Sequence, residues 1–409
     1  MKRRLSMRYG NSLYMCVLAP LFMIFFSSAD GYTEPVRGVT DTTIKIGAIL
    51  DQTGPISGDI TLPPSRALRN YIKHVNENGG ISERKIELLI EDDRYSIPAG
   101  VAAFKKLLFK DKIFALIGPG CIGGGRALIK HIQKLQVPNI TGSPDERQVN
   151  PVKKYIVMPF NVYDNQLGVI YDYIVNNLKP QKPRVTFVYY EAESGKVALA
   201  STKRWADFFN FEYDTEVINM GALDAASQVM NIKRKKPTHI VIHHGSPGTV
   251  ALLRDLKKFN VDIPVYGTLI TCTDDTIKMA GSSGANFRGA QIFGSWYEDL
   301  PGIEKMRKIT LKYHPGTEKP YRSRMYTLGW LIATILYEGL ERAGKDLNTE
   351  TMVKAWESIK DLDTGGVSGL VNLSPTNHQA LHHTKLYKAD PEKGILIPIT
   401  DWRLPPDTK

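Results

Sequence analysis

The chain has 409 residues, of which 42% are hydrophobic and 23% charged. These proportions exclude a disordered, collagen-like or multi-span membrane protein, and the length suits two or three domains with a sizeable core. The 53 basic against 42 acidic residues give a formal charge of +11, a balance open to nucleic acid, an anionic surface or an anionic ligand.

The first segment reads as an export signal. Lys2, Arg3, Arg4 and Arg8 form a basic region, and Leu13 to Phe26 is an apolar run short for a spanning helix. Ser27-Ser28-Ala29 supplies small residues before a cut ahead of Asp30. Cys16 follows Met15 inside the apolar run and leaves with the signal. Removing 29 residues that carry four basic and no acidic side chains takes the chain from 409 to 380 residues and the charge from +11 to +7. Two cysteines then remain, Cys121 and Cys272, with no CxxC and no zinc spacing between them.

Strand-like and helix-like segments alternate from there. Ile44–Leu50 predicts a strand, followed by the turn Asp51-Gln52-Thr53-Gly54-Pro55. Ser65–Asn78 predicts a helix stopped by Gly79-Gly80. Lys85–Glu91 is the second strand. Ser96 and Pro98 open the next helix, with Phe104, Leu107 and Leu108 as its apolar stripe. Ile113–Ile117 is the third strand, and the glycine-rich Gly118–Gly125 opens a helix running to about Leu135. Val137–Thr141 is the fourth strand, and Tyr155–Phe160 a strand-like crossing.

The rhythm repeats with strands at Arg184–Tyr190, Ile240–His243 and Pro264–Gly267. Helices at Gln166–Asn177, Lys196–Asn210, Ala225–Lys235 and Pro247–Phe259 separate them. After Gly289–Gly294 come helices at Pro301–Tyr313, Arg324–Ala343 and Thr349–Ser358, then short strands including His383–Lys388. Alternation of this kind predicts α/β architecture, with parallel sheets, helices on both faces, and two similar lobes.

Gly118, Gly120 and Gly123 satisfy G-x-G-x-x-G between a strand and a helix. The motif follows the third strand, encloses Pro119, and leads to a next strand without an acidic residue for a ribose. A dinucleotide enzyme is therefore disfavoured, and no cofactor is expected. Glycines at a helix N-terminus still expose backbone N–H groups that favour an anionic or carbonyl-bearing ligand. A tight strand–helix turn explains them equally well.

No nucleophile–base set stands out, because none of the loop serines Ser143, Ser194 and Ser246 sits in G-x-S-x-G. His243 and His244 are adjacent on a strand and point to opposite faces, so a shared metal is disfavoured. Lys233-Arg234-Lys235-Lys236 closes a helix and complements its negative end rather than reading nucleic acid. Cys121 and Cys272 fall in different lobes, and two free thiols are expected.

An ordered series of segments resembles one family. It comprises Ile44-Lys45-Ile46-Gly47 with Thr53-Gly54-Pro55, then Val75-Asn76-Glu77-Asn78-Gly79-Gly80-Ile81, Arg84–Leu88, Glu91-Asp92-Asp93 and Ile117-Gly118-Pro119. Further along stand Ala343–Leu347, Asp363-Thr364-Gly365-Gly366 and Leu373–His378. Over about 41–405 the chain resembles type I periplasmic binding proteins of the leucine/isoleucine/valine-binding kind, the substrate-binding proteins of ABC importers. The resemblance implies two Rossmann-like lobes joined by a three-crossing hinge, one of 41–160 and 293–380 and the other of 161–292 and 381–409. It implies a periplasmic, non-enzymatic, monomeric protein. Such a protein holds a small molecule between its lobes and docks on a membrane permease, with no nucleic-acid partner and no metal. A ligand sensor of the same fold, signalling to a membrane receptor, is the alternative.

The ligand contacts implied by the resemblance transfer only in part. Where amino-acid binders use a serine after the third strand, this chain has Cys121, Ile122 and Gly123, whose backbone N–H groups remain available. Thr141 and Ser143 keep hydroxyls after the fourth strand. The acidic residue used for the ligand ammonium corresponds to about Leu269, with Asp274 and Asp275 a few positions beyond. The tyrosine expected near Ser246 is absent. Tyr95, Tyr163, Tyr190 and Trp296 on predicted loops suit stacking on a ligand, and Ser57 and Asn165 complete the candidate set. An ammonium buried without a carboxylate is costly. These departures count against a plain α-amino acid and predict a ligand with a carboxylate or other polar oxygen group on an apolar or aromatic body, an aromatic or aliphatic acid, with a branched-chain amino acid as the other choice the resemblance implies.

Overall fold

The computed structural model describes residues 35–316, 318 and 321–406, the Asp59 side chain excepted. The export-signal reading of 1–29 and the tail 407–409 lie outside these residues. The first strand, β1 (Thr43–Leu50), is buried along most of its length, as expected of a strand covered on both faces. It is followed by α1 (Leu62–Glu77), which starts on Pro63-Pro64, where missing N–H groups cost nothing. Gly79 and Gly80 at φ +108 and +80 end that helix. Next come β2 (Lys85–Asp92), α2 (Ile97–Lys105), β3 (Ala115–Ile117), α3 (Ile122–Leu135), β4 (Asn139–Ile140) and β5 (Ile156–Val157). The five strands form one parallel sheet in the order β2-β1-β3-β4-β5.

The chain continues through α4 (Tyr163–Asp172), β6 (Arg184–Tyr189), α5 (Glu193–Phe209), β7 (Glu212–Val217) and α6 (Ala226–Lys235). Then follow β8 (His239–His243), α7 (Ser246–Lys258), β9 (Val265–Gly267), α8 (Asp274–Ala280) and β10 (Phe287–Gln291). Three helices return to the first sheet, α9 (Pro301–Tyr313), α10 (Arg324–Ala343) and α11 (Thr349–Glu357). The strands β11 (Lys385–Asp390) and β12 (Ile395–Pro398) end the second sheet, ordered β12-β11-β10-β9-β8-β6-β7. The chain thus passes between the sheets after β5, after β10 and before β11. We call the first sheet with its helices lobe one and the second lobe two.

The α/β fold class stands, with one correction to the expectation of parallel sheets. β10 pairs antiparallel with β11 and β11 with β12; β11 follows the return from lobe one, and a tight turn with Gly394 at φ +64 then sends the chain straight back into β12. Three elements are absent from the sequence reading. β7 is an edge strand, EYDTEV, whose mostly polar side chains hide its period. The helix α8 is seven residues long, too short to show a stripe, and is set by its cap, where the Thr273 hydroxyl oxygen accepts from the Thr276 N–H. In β10, the FRGAQ run carries too few apolar residues to stand out. The fourth strand is shorter than predicted because Pro138 has no N–H to give the ladder.

In lobe one, α1 packs against α10. Gly329 makes their approach so close that an added Cβ would sit 2.4 Å from the Pro64 Cα. At the start of α10 the fully buried Arg324 lies 3.3 Å from Asp274 of lobe two and stacks on the Tyr387 ring at 4.2 Å. That charge is compensated as a buried charge must be. Among the described residues no helix is long and apolar enough to cross a membrane. Gly329→Val should push α10 off α1 and lower the unfolding free energy by roughly 1–3 kcal/mol, measured by urea denaturation against wild type.

Candidate functional site

The C-terminal ends of β1, β3 and β4 in lobe one face those of β6, β8 and β9 in lobe two. In open parallel sheets this is where ligands bind. The loops meet around an inner cavity of about 70 Å³. It continues outward into a second cavity of about 250 Å³, and the two share Ile56, Ile60, Tyr190 and Ile270.

On the lobe-one side, α3 presents its N-terminus. The Cys121 sulfur caps it by accepting from the Gly124 N–H at 3.2 Å, while the first-turn N–H groups have no partner within the helix. Gly120 and Ile122 line the cavity. Part of the glycine run answers to packing, since a Cβ on Gly125 would lie 2.5 Å from the Gln148 side chain. Gln148 in turn accepts from the Thr141 hydroxyl at 2.6 Å and donates to the Ser143 oxygen at 2.9 Å. That leaves the Ser143 O–H free to point elsewhere, and Ser143 lines the cavity.

Three carboxylates stand behind the same loops. Asp51 accepts from the N–H groups of Gly54 and Ile56, Asp92 from those of Gln52 and Arg94, and Asp93 from that of Tyr95 at 3.1 Å. They hold the β1 and β2 loops in place, and none lines the cavity. Burial, aided by Asp51 and Asp92, raises the Asp93 carboxyl from 3.8 to about 6.

On the lobe-two side, Leu269 is fixed through its backbone. Its N–H donates to Gln166 at 3.1 Å and its carbonyl accepts from Gln291 at 2.8 Å. The Leu269 side chain therefore lies on the cavity wall at the position where the resemblance implies a carboxylate. Asp274 cannot substitute. Its oxygens accept from Ser295 at 3.0 Å and from the Leu396 N–H at 2.8 Å, beside Arg324. Asp275 faces Arg322 at 3.4 Å.

Tyr163, Tyr190 and His243 make an aromatic corner. The Tyr163 ring meets His243 edge-on at 4.5 Å, and Tyr190 lies parallel to it at 5.8 Å. His243 is fully buried, and burial followed by repulsion from His244 lowers it to about 3, so it is neutral near pH 7. Among the described residues lining the two cavities there is no Asp, Glu, Lys or Arg.

The structure brings Tyr95, Ile122, Ser143, Tyr163, Tyr190 and Leu269 to the inner cavity and Ser246 to the outer one. Six other candidates lie elsewhere. The Ser57 hydroxyl donates back to the Gly54 carbonyl at 2.8 Å. Cys121 is spent as a helix cap, and Gly123 packs on Ile97. The Thr141 hydroxyl is turned to Gln148, and Asn165 donates to Asn161 at 2.7 Å from a separate, charged groove that also lies between the lobes and meets the inner cavity at Pro144 and Tyr163. Trp296 is buried against Tyr326. Cys121 and Cys272 are both buried free thiols. Sequence reasoning missed the apolar wall of Ile56, Ile60, Phe160, Ile270, Met325 and Leu328. Only Ile270, beside Leu269, carried a positional signal.

Buried ionisable groups make stability depend on pH. His239 and His243 drop from 6.5 to about 4 and about 3. The unfolded chain therefore takes up protons first, and the thermal midpoint should fall as pH is lowered from about 6.5 toward 4. Asp93 acts oppositely, withdrawing stability as pH rises from 3.8 through about 6. Asp93→Asn keeps an acceptor for the Tyr95 N–H and should raise the unfolding free energy by about 1–2 kcal/mol at pH 8. Below about pH 3.8 it should change nothing. Urea titrations at the two pH values check both.

Comparison with known proteins agrees with this geometry. The family described as periplasmic binding protein matches residues 43–394. The fold superposes on a branched-chain amino acid ABC transporter protein from Thermus thermophilus with bound valine, at 21% identity and TM-score 0.82, covering 90% of this chain and 97% of that one. A fatty acid ABC transporter substrate-binding protein from Thermomonospora curvata matches at 22% identity and TM-score 0.77, over 90% and 94% of the two chains. A branched-chain amino acid transporter substrate-binding protein from Streptococcus pneumoniae, in complex with isoleucine, matches at 16% and TM-score 0.75, over 88% and 99%. The chain belongs to the periplasmic binding protein family and is a solute-binding protein.

Proposed function

We propose that this protein is exported to the periplasm, captures a small organic acid in its interlobe cleft and delivers it to an ABC importer without chemical change. The two closing bodies in this reading are 41–160 with 293–380 and 161–292 with 381–409. The carrying observation is the uncharged wall of the inner and outer cavities. An α-amino acid brings an ammonium that would be buried against Leu269 and the apolar wall with no carboxylate to meet it. A carboxylate or neutral oxygen needs only donors, which the α3 N-terminus and the Ser143 and tyrosine hydroxyls supply. Isoleucines, Phe160, Met325 and Leu328 then cover the apolar body. Among the ligands named with its structural neighbours, this wall suits the fatty-acid type better than valine or isoleucine.

Thermal-shift titration with benzoate, hexanoate, leucine and valine tests the reading. The acids should raise the unfolding midpoint by about 2–5 °C at saturating concentration, and the amino acids should not. Stabilisation by leucine or valine alone would overturn it. Leu269→Asp should weaken benzoate and hexanoate at least about tenfold by placing a like charge on the wall, measured by calorimetry.

A further inference from the structure

One chain of hydrogen bonds runs from the cavity into the centre of lobe two. The Tyr190 hydroxyl bonds to that of Ser194. Ser194 lies 3.3 Å from His243 Nε2, and His243 Nδ1 lies 2.8 Å from the Thr268 hydroxyl. Tyr95, Tyr190 and Ser194 all line the cavity, whereas His243 and Thr268 are fully buried behind it.

Every member of this chain can donate or accept. A hydroxyl does both, and a neutral imidazole carries one N–H and one bare nitrogen whose places can be exchanged. Two self-consistent directions follow. In one, Thr268 donates to Nδ1, Nε2–H donates to Ser194 and Ser194 to Tyr190, which leaves the Tyr190 O–H for the cavity. In the other, every bond is reversed, Tyr190 is spent on Ser194, and the cavity receives only a lone pair. An anionic oxygen in the cavity bonds most strongly to a donor and so favours the first direction.

We propose that Tyr190, Ser194, His243 and Thr268 form a reversible relay that presents a donor to an acid ligand, with His243 as the positioning residue that sets its direction. The proposal rests on the acid-binding reading above. It explains how a wall without a cation selects an anion.

The test uses the full mature chain labelled with ¹⁵N-histidine, benzoate as the anionic probe and benzyl alcohol as the uncharged one. Benzoate should place His243 in the Nε2–H form. Ser194→Ala should break the relay, shift that tautomer and raise the benzoate Kd about tenfold, with less than a twofold change for benzyl alcohol. Tyr190→Phe, which leaves the buried part intact, should cause the same selective loss, and Ser194→Thr should restore binding. An Nδ1–H imidazole with benzoate bound, or equal losses for both probes, would overturn the relay. If benzoate and hexanoate fail to bind wild type, the acid reading falls. The relay is then judged on the free protein, where an unchanged His243 tautomer in Ser194→Ala would overturn it.

Discussion

The loops that meet in the cleft are held from behind by buried carboxylates and side-chain amides, and the character of the cavity depends on that arrangement. Asp51, Asp92 and Asp93 take up the N–H groups of the β1 and β2 loops. Gln148 ties together the hydroxyls after β4, and Gln166 and Gln291 clamp the backbone of Leu269. Polar side chains are thus spent on the backbone. The surface left facing the ligand is backbone N–H, hydroxyl and hydrocarbon. Charge stands one layer back, where its desolvation is offset by hydrogen bonds.

The same economy explains the buried ion pair. Asp274 could have faced the cleft from the first turn of α8. Instead it accepts from Ser295 and Leu396 and lies beside Arg324, at a place where both lobes contribute. Removing either partner would leave an unpaired buried charge. Asp274 is thereby bound to the frame and withdrawn from ligand binding.

Much of the fold was legible because its strands and helices follow the simple periods. The boundaries of α9 and α10 were readable from their proline and serine starts and apolar stripes. β7 was hidden because a polar edge strand has no buried face to imprint, and α8 because a capped seven-residue helix carries almost no pattern. At the site, Tyr95, Tyr190, Ser143 and Leu269 were found because they follow strand ends. Trp296 and Thr141 were expected at the cavity for the same reason, yet side-chain direction and the Gln148 bond turn them away. The apolar wall from α10 was invisible, since Met325 and Leu328 read as ordinary core at helical spacing.

The central claim is that an uncharged cavity excludes an ammonium and accepts an acid. Native purification of the exported protein, followed by mass identification of the small molecule retained in it, tests this most directly. The account predicts a carboxylic acid with an apolar or aromatic body and no amine. A retained branched-chain amino acid would contradict it.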